Sequence, residues 1–104
     1  MDHLEFSRND GLYTPLNVTD DGAAVDMSAM TFKGVIEWFD GSIEISEAAG
    51  TLVENDASQG MWYIDLSDAQ AEAISKSTAA FLTMRDETPG SEYTYIERLA
   101  VKVL

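Results

Sequence analysis

Alternation of apolar and polar residues is the strongest pattern in the chain, and it predicts β-strands with one buried face. The clearest run is 30–38, in which Phe32, Ile36 and Trp38 share one face. Shorter or less regular runs occupy 12–18, 43–45, 51–54, 61–66, 80–84 and 93–103. Together these patterns predict about seven strands.

Two of these runs carry further information. Pro15 lacks a backbone N–H, which indicates that run 12–18 lies at the edge of a sheet. Run 93–103 is expected to leave its basic residues in water. Its predicted buried positions are Tyr93, Tyr95, Leu99, Val101 and Val103.

Turn-forming residues separate the runs at roughly even spacing. They stand at 9–11, 20–22, 40–42, 49–50, 59–60 and 89–90, where Asp, Asn and Gly favour tight turns. Ser67 and Gln70 have the spacing of a capping box, which predicts a short helix near 67–75. We therefore expect a mainly β protein: a single antiparallel β-sandwich domain over residues 1–104, with one short helix.

Charge narrows the range of partners. The 104 residues include 6 Lys and Arg against 19 Asp and Glu, for a net charge of −13. Such a surface repels phosphate backbones and anionic lipid, so we expect no direct nucleic-acid partner and no membrane partner. Residues 1–5 lack the features of a secretory signal, and we expect synthesis in a cytoplasm without signal-peptide secretion.

Candidate catalytic and metal-binding residues are few. The one histidine, His3, lies near the N-terminus and is expected to be a solvent-exposed imidazole rather than part of a triad. The acidic turns 20–22 and 40–42 do not match a calcium-loop spacing, although a structural calcium site stays open. There is no cysteine and no phosphate-binding glycine motif. We predict no catalytic residue, no metal and no cofactor, and expect a protein that is not an enzyme.

Some apolar residues occupy strand positions that should face water. They are Val35, Phe39, Tyr63, Phe81 and Ile96. Clustered on a surface, such residues form the kind of patch used for protein contacts. The alternative is that the helix, a loop or a terminal strand covers them. We take these five as the predicted protein interface.

Several segments carry a resemblance to a known family. Strand 13–18 precedes the acidic turn 20–22, and Val25-Asp26-Met27-Ser28 leads into the long run 30–38. Residues 60–67, followed by Gln70-Ala71, combine a glycine, a strand and a helical turn. This order resembles the small immunoglobulin-like β-sandwich domains of tailed-phage virion proteins, in particular the N-terminal domains of baseplate and tail-fibre-associated proteins. Met27 stands where leucine is usual.

The resemblance implies a non-enzymatic structural subunit of a bacteriophage particle, in the tail, the baseplate or a fibre attachment. It would be located in the virion and dock to other virion proteins and to copies of itself in a symmetric assembly, with no small-molecule substrate. A capsid decoration protein is one alternative. An acidic DNA-mimic inhibitor of a nucleic-acid-binding enzyme is another. A carbohydrate-binding sandwich would depend on Trp38 and Trp62, whose predicted inner-face positions favour core packing.

Overall fold

Ten β-strands and one α-helix account for most of residues 3–7 and 11–104, which are the residues that the computed structural model describes. The strands are β1 (His3–Phe6), β2 (Tyr13–Asn17), β3 (Thr19–Asp20), β4 (Ala23–Ala24), β5 (Phe32–Trp38), β6 (Gly41–Ile45), β7 (Leu52–Asp56), β8 (Met61–Asp65), β9 (Ala80–Asp86) and β10 (Tyr93–Val103). Helix α1 (Asp68–Ser75) joins β8 to β9, and a 3-10 turn (Ala57–Gln59) joins β7 to β8. The protein is mainly β.

The strands form two larger sheets and one small hairpin. The five-stranded sheet has the order β1-β10-β9-β5-β6, and the three-stranded sheet has the order β2-β8-β7. Strands β3 and β4 pair only with each other. Every pair is antiparallel except β1 with β10, which run parallel.

The inner faces of the two larger sheets share one hydrophobic core. Its fully buried members include Leu16, Ile36, Ile64, Leu82 and Met84. The rings of Phe32 and Trp62, one from each sheet, lie 5.3 Å apart. The Trp62 indole N–H also donates to the sulfur of Met27 at 3.4 Å. Burial of alternate residues on both sheets accounts for the period-2 pattern of the sequence.

The predicted helix and its cap are confirmed. The Ser67 hydroxyl accepts from the backbone N–H of Gln70, and the Gln70 side chain accepts from the backbone N–H of Ser67. This capping box satisfies two donors at the start of α1. Ala71 and Ile74 are buried, so the helix packs through one side. The edge position of Pro15 is confirmed as well, because β2 is an outer strand of its sheet.

The predicted number of seven strands is wrong, and so is the fully antiparallel arrangement. The three additional strands are β1, β3 and β4. The first has four residues and each of the others has two, which is too short to show an alternating pattern. Strand β1 is held by parallel pairing to the far end of the chain, and that partner is not apparent from local sequence.

Strand β10 departs from simple alternation. Its register against β9 shifts between Thr94 and Ile96 and again between Ile96 and Leu99, and Arg98 adopts a left-handed φ of 51°. Tyr93, at the start of the strand and before both shifts, is 53% exposed, so its predicted burial is wrong. Val101 is buried as predicted, whereas Tyr95, Leu99 and Val103 are half-buried against the core.

The acidic turn at 20–22 forms a tight hairpin. Asp20 pairs with Ala23, so Asp21 and Gly22 form a two-residue loop. Their φ values of 51° and 80° are both left-handed, as the favoured hairpin turn requires. Turn formation therefore accounts for the Asp-Gly pair. Residues 9 and 10 of the predicted turn 9–11 lie outside the described residues.

Candidate protein-interaction site

The structure brings together two of the five predicted interface residues, Phe39 and Phe81. Both line a groove beside the tip of the β5–β6 hairpin. Val35 lies on the same outer face of the five-stranded sheet, paired with Thr83. Phe39 is fully exposed, whereas Phe81 and Val35 are half-buried. This outer face is the candidate site.

A compact hairpin turn places Phe39 in water. Trp38 pairs with Gly41, so Phe39 and Asp40 form a two-residue loop. The Trp38 indole folds over Gly41, where an added Cβ would lie 2.7 Å from the ring. Trp38 packs against the core, and the next side chain in the chain, Phe39, is left without cover.

Arg98 extends the aromatic surface around Phe81. Its guanidinium carbon lies 4.4 Å from the Phe81 ring centroid, in cation–π geometry. The left-handed φ of Arg98 belongs to the irregular part of β10, and its backbone N–H donates to the Thr83 hydroxyl at 3.3 Å. A backbone irregularity thus places a cation against the aromatic groove.

The remaining two predicted interface residues lie elsewhere. Ile96 pairs with the buried Met84 and packs against the core from the inner face. Its predicted outward position is therefore wrong, because the shifts in β10 reverse the alternation there. Tyr63 lies on the outer face of the three-stranded sheet, where its ring stacks on that of Tyr13 at 4.4 Å. It belongs to a different surface from Phe39.

The two sheets differ in charge. The five strands of the larger sheet carry four basic residues against five acidic ones. The basic residues are Lys33, Arg85, Arg98 and Lys102. The three strands of the smaller sheet carry Glu54, Asp56 and Asp65 and no basic residue. Four of the protein's six Lys and Arg residues thus lie in one sheet.

Within residues 3–7 and 11–104, three ionisable groups have shifted pKa values, and each shift has a structural cause. Hydrogen bonds from Thr88 hold the pKa of the Asp86 carboxyl below its ordinary value, with a further bond from the Thr31 backbone, although burial acts in the opposite direction. Hydrogen bonds from Ser28 likewise lower the pKa of Asp26. Burial, then the nearby Asp86 charge, raises the pKa of Tyr95. The Asp86 hydrogen bonds link Thr31 and Thr88 to the end of β9.

The structure also locates the residues considered for catalysis, metal binding and carbohydrate binding. His3 lies in β1 with its Nε2 against the Glu5 carboxylate and its side chain 31% exposed, so the imidazole is partly rather than fully exposed. Among residues 3–7 and 11–104 no three His, Cys, Asp or Glu side chains are arranged to hold a metal ion. No helix in the same ranges is long and apolar enough to cross a membrane. Trp62 is buried in the core.

Comparisons with protein-family models, with curated proteins and with solved structures find no match for this chain.

Proposed function

We propose that the protein is a non-enzymatic structural subunit of a bacteriophage particle, and that it docks to copies of itself through the outer face of the five-stranded sheet. The observation that carries the docking proposal is the fully exposed Phe39 beside Phe81. A free aromatic side chain next to an aromatic groove is typical of a buried anchor at a protein interface. The assignment to a phage particle is supported by the resemblance of segments 13–38 and 60–71.

We propose further that the fold is an immunoglobulin-like sandwich. The order β10-β9-β5-β6 opposite β2-β8-β7 supports this, because variable-type immunoglobulin domains oppose strands G-F-C-C′ to strands B-E-D. On this assignment the β3–β4 hairpin is an insertion between strands B and C, and α1 connects strands E and F.

Charge selects the self-docking face. Two copies that each carry a charge of −13 repel one another, so contact requires a face where the repulsion is smallest. The five-stranded sheet has four basic residues against five acidic ones, whereas the three-stranded sheet has acidic residues but no basic residue. Phe39 and Phe81 lie on the more balanced face. This distribution supports self-association there and separates the acidic sides.

The docking proposal is tested by the mass of the protein in solution. Light scattering or sedimentation should show an oligomer at about 100 μM for the natural chain and a monomer for Phe39→Asp. Tyr13→Asp is the matched control, because it places the same charge on an exposed aromatic residue of the other sheet, and it should stay oligomeric. A natural chain that is monomeric, or a Phe39→Asp variant of unchanged mass, would refute self-docking through this face.

Assignment to a particle needs a separate experiment. Mass spectrometry of purified phage particles, produced from the genome that encodes this chain, should detect the polypeptide. Its copy number separates the two kinds of position, because a capsid decoration protein is present in hundreds of copies and a tail, baseplate or fibre component in far fewer. Absence from the particles would overturn the virion assignment.

The DNA-mimic alternative requires carboxylates in rows along one face. On the outer face of the three-stranded sheet the central row consists of Pro15, Tyr63 and Val53, which carry no charge. The structural-subunit proposal is therefore better supported.

A further inference from the structure

The outer face of the three-stranded sheet has an uncharged, partly aromatic centre. Pro15 of β2, Tyr63 of β8 and Val53 of β7 pair across the three strands and form its central row. On either side of Tyr63 along β8, Met61 and Asp65 share its outward alternation, while Trp62 and Ile64 are buried. We call this surface the tyrosine face.

Around the half-buried Tyr63, the tyrosine face is open to solvent. The Tyr13 and Tyr63 rings stack with an interplanar angle of 16°, and Tyr13 is 40% exposed. Val53 is 36% exposed and Pro15 is also exposed. The stacked rings form a firm apolar surface, because each ring restricts the movement of the other.

Carboxylates stand at both ends of the face. Asp65 pairs with Tyr13 at one end, and Asp56 pairs with Met61 at the other. Because Met61 and Asp65 are four residues apart in β8 and Asp56 lies opposite Met61 on the adjacent strand, the backbone positions of the two acids are about 14 Å apart. None of the three strands carries Lys or Arg, so these carboxylates have no basic neighbour within their own sheet.

We propose that the tyrosine face binds a cationic segment of another protein. An extended peptide with basic residues at positions i and i+4 matches the separation of the two carboxylates, since its side chains repeat every 6.6 Å or so on one face. An apolar residue at i+2 would then lie over the central row. Arginine is favoured over lysine, because its guanidinium pairs with carboxylates and also packs on tyrosine rings.

The same charges argue against a second copy as the occupant of this face. A partner with a charge of −13 would bring further carboxylates towards Asp56 and Asp65. The inference goes beyond the self-docking proposed above and does not depend on it, because a monomer could bind the segment equally well. It also uses a different sheet from the one that carries Phe39.

Short peptides provide a direct test. The probe is the blocked peptide Thr-Arg-Thr-Val-Thr-Arg-Thr, titrated by calorimetry in about 50 mM salt, where screening is limited. One control peptide has glutamine in place of both arginines, and a second, Arg-Arg-Thr-Thr-Val-Thr-Thr, has the same composition with adjacent arginines. The probe should bind at least about fivefold more tightly than either control. Equal binding of the probe and either control would overturn the proposal.

Protein variants locate the binding. The double variant Asp56→Asn with Asp65→Asn should weaken the probe about tenfold, because two ion pairs of ordinary strength are lost. The matched control, Glu37→Gln with Glu97→Gln, removes the same charge from exposed positions of the five-stranded sheet and should change affinity less than about twofold. Equal weakening by the two pairs would show that binding follows net charge alone, and would refute a site on the tyrosine face.

The aromatic contribution and the folded state are checked separately. Tyr13→Ser should weaken the probe about threefold without changing the far-ultraviolet spectrum, and an unchanged affinity would contradict the role of the rings. All titrations are repeated in the Phe39→Asp background, in which self-docking is blocked. Loss of peptide binding only in that background would overturn the independence of the two faces, whereas oligomerisation can fail with peptide binding intact.

Discussion

The two sheets of this protein share one core but present different surfaces. Inside, both bury alternate apolar residues, and Phe32 of one contacts Trp62 of the other. Outside, the five-stranded sheet carries four basic residues with Phe39 and Phe81, and the three-stranded sheet carries stacked tyrosines with carboxylates and no basic residue. Packing in the core accounts for the residues of the inner faces, whereas the residues of the outer faces determine which molecules each sheet can contact.

Because the two sheets differ in charge, the high net negative charge acts differently on the two sides of the protein. If the charge were spread evenly, every face of one copy would repel every face of another to a similar extent. Concentrating Lys33, Arg85, Arg98 and Lys102 in one sheet leaves that sheet as the less repulsive side. If both proposals hold, the other side attracts cationic partners, and the protein offers two surfaces that select different partners.

The sharpest contrast between inner and outer faces is at neighbouring residues of β8. Trp62→Ala should lower the free energy of unfolding by about 4 kcal/mol, because it leaves a cavity in the shared core. Tyr63→Ala removes a ring from the outer face of the same strand and should cost about 1 kcal/mol, chiefly the stacking with Tyr13. Urea denaturation measures both. Similar losses for the two variants would contradict the assignment of inner and outer faces.

A second test concerns the close approach of β5 and β9 within the five-stranded sheet. A Cβ on Gly34 would lie 2.0 Å from the carbonyl oxygen of Thr83 and 2.5 Å from the sulfur of Met84. Gly34→Ala should therefore cost about 3 kcal/mol, since the backbone has to move. Gly50→Ala is the control, because Gly50 has a φ of +78° but no atom near its Cβ position, and it should cost about 1 kcal/mol from backbone strain alone. Equal denaturation midpoints would refute the steric explanation.

The connection between the sheets can be tested at the start of α1, which follows β8 of one sheet and precedes β9 of the other. Ser67→Ala removes the hydroxyl that accepts from the Gln70 N–H, and should cost about 1 kcal/mol. Ser75→Ala, at the exposed far end of the helix, should change stability by less than about 0.5 kcal/mol. A loss at Ser75 as large as that at Ser67 would contradict the capping role.

The sequence was sufficient for elements whose signal is local. Alternation located the seven longer strands, and the Ser67–Gln70 spacing located the helix, because both patterns depend on neighbouring residues. Strand β1 could not be predicted from the sequence, because four residues carry little periodicity and its partner lies almost a hundred residues away. The register shifts of β10 could not be predicted either, because they depend on its pairing with β9.

The candidate site shows the same division. The regular alternation of β5 and β9 is sufficient to place Val35 and Phe81 on the outer face, whereas Phe39 is exposed because it lies in the two-residue turn after β5. Ile96 was misassigned, since strict alternation fails in β10. No local pattern could indicate that Tyr63 belongs to a different surface, because membership of a sheet is decided by long-range pairing. The Arg98 contact with Phe81 was missed for the same reason.

The smallest effect is expected from a comparison of two acids: Asp86, which is buried in the five-stranded sheet, and Asp26, which is exposed and lies outside that sheet. Hydrogen bonds lower the pKa of both Asp86 and Asp26 from an ordinary 3.8. Because a lowered pKa in the folded state means weaker proton binding than in the unfolded state, each contribution to stability is complete above about pH 4 and is lost as the pH falls through the lowered pKa.

The two acids should nevertheless differ, because of where their donors lie in the chain. The Asp26 carboxylate accepts from Ser28, two residues away, so part of this arrangement can persist in the unfolded chain. Asp86 also accepts from the backbone of Thr31, which lies 55 residues away and is near only in the folded protein. Asp86→Asn keeps an acceptor oxygen but not the charge, so it should be less stable than the natural chain at pH 7 by about as much as the natural chain loses through Asp86 in acid, and its own loss of stability below about pH 4 should be shallower. Asp26→Asn should alter that acid limb less, as followed by thermal melts across the pH range. An acid limb that is equally steep in Asp86→Asn and in the natural chain would show that the Asp86 hydrogen bonds do not stabilise the end of the five-stranded sheet.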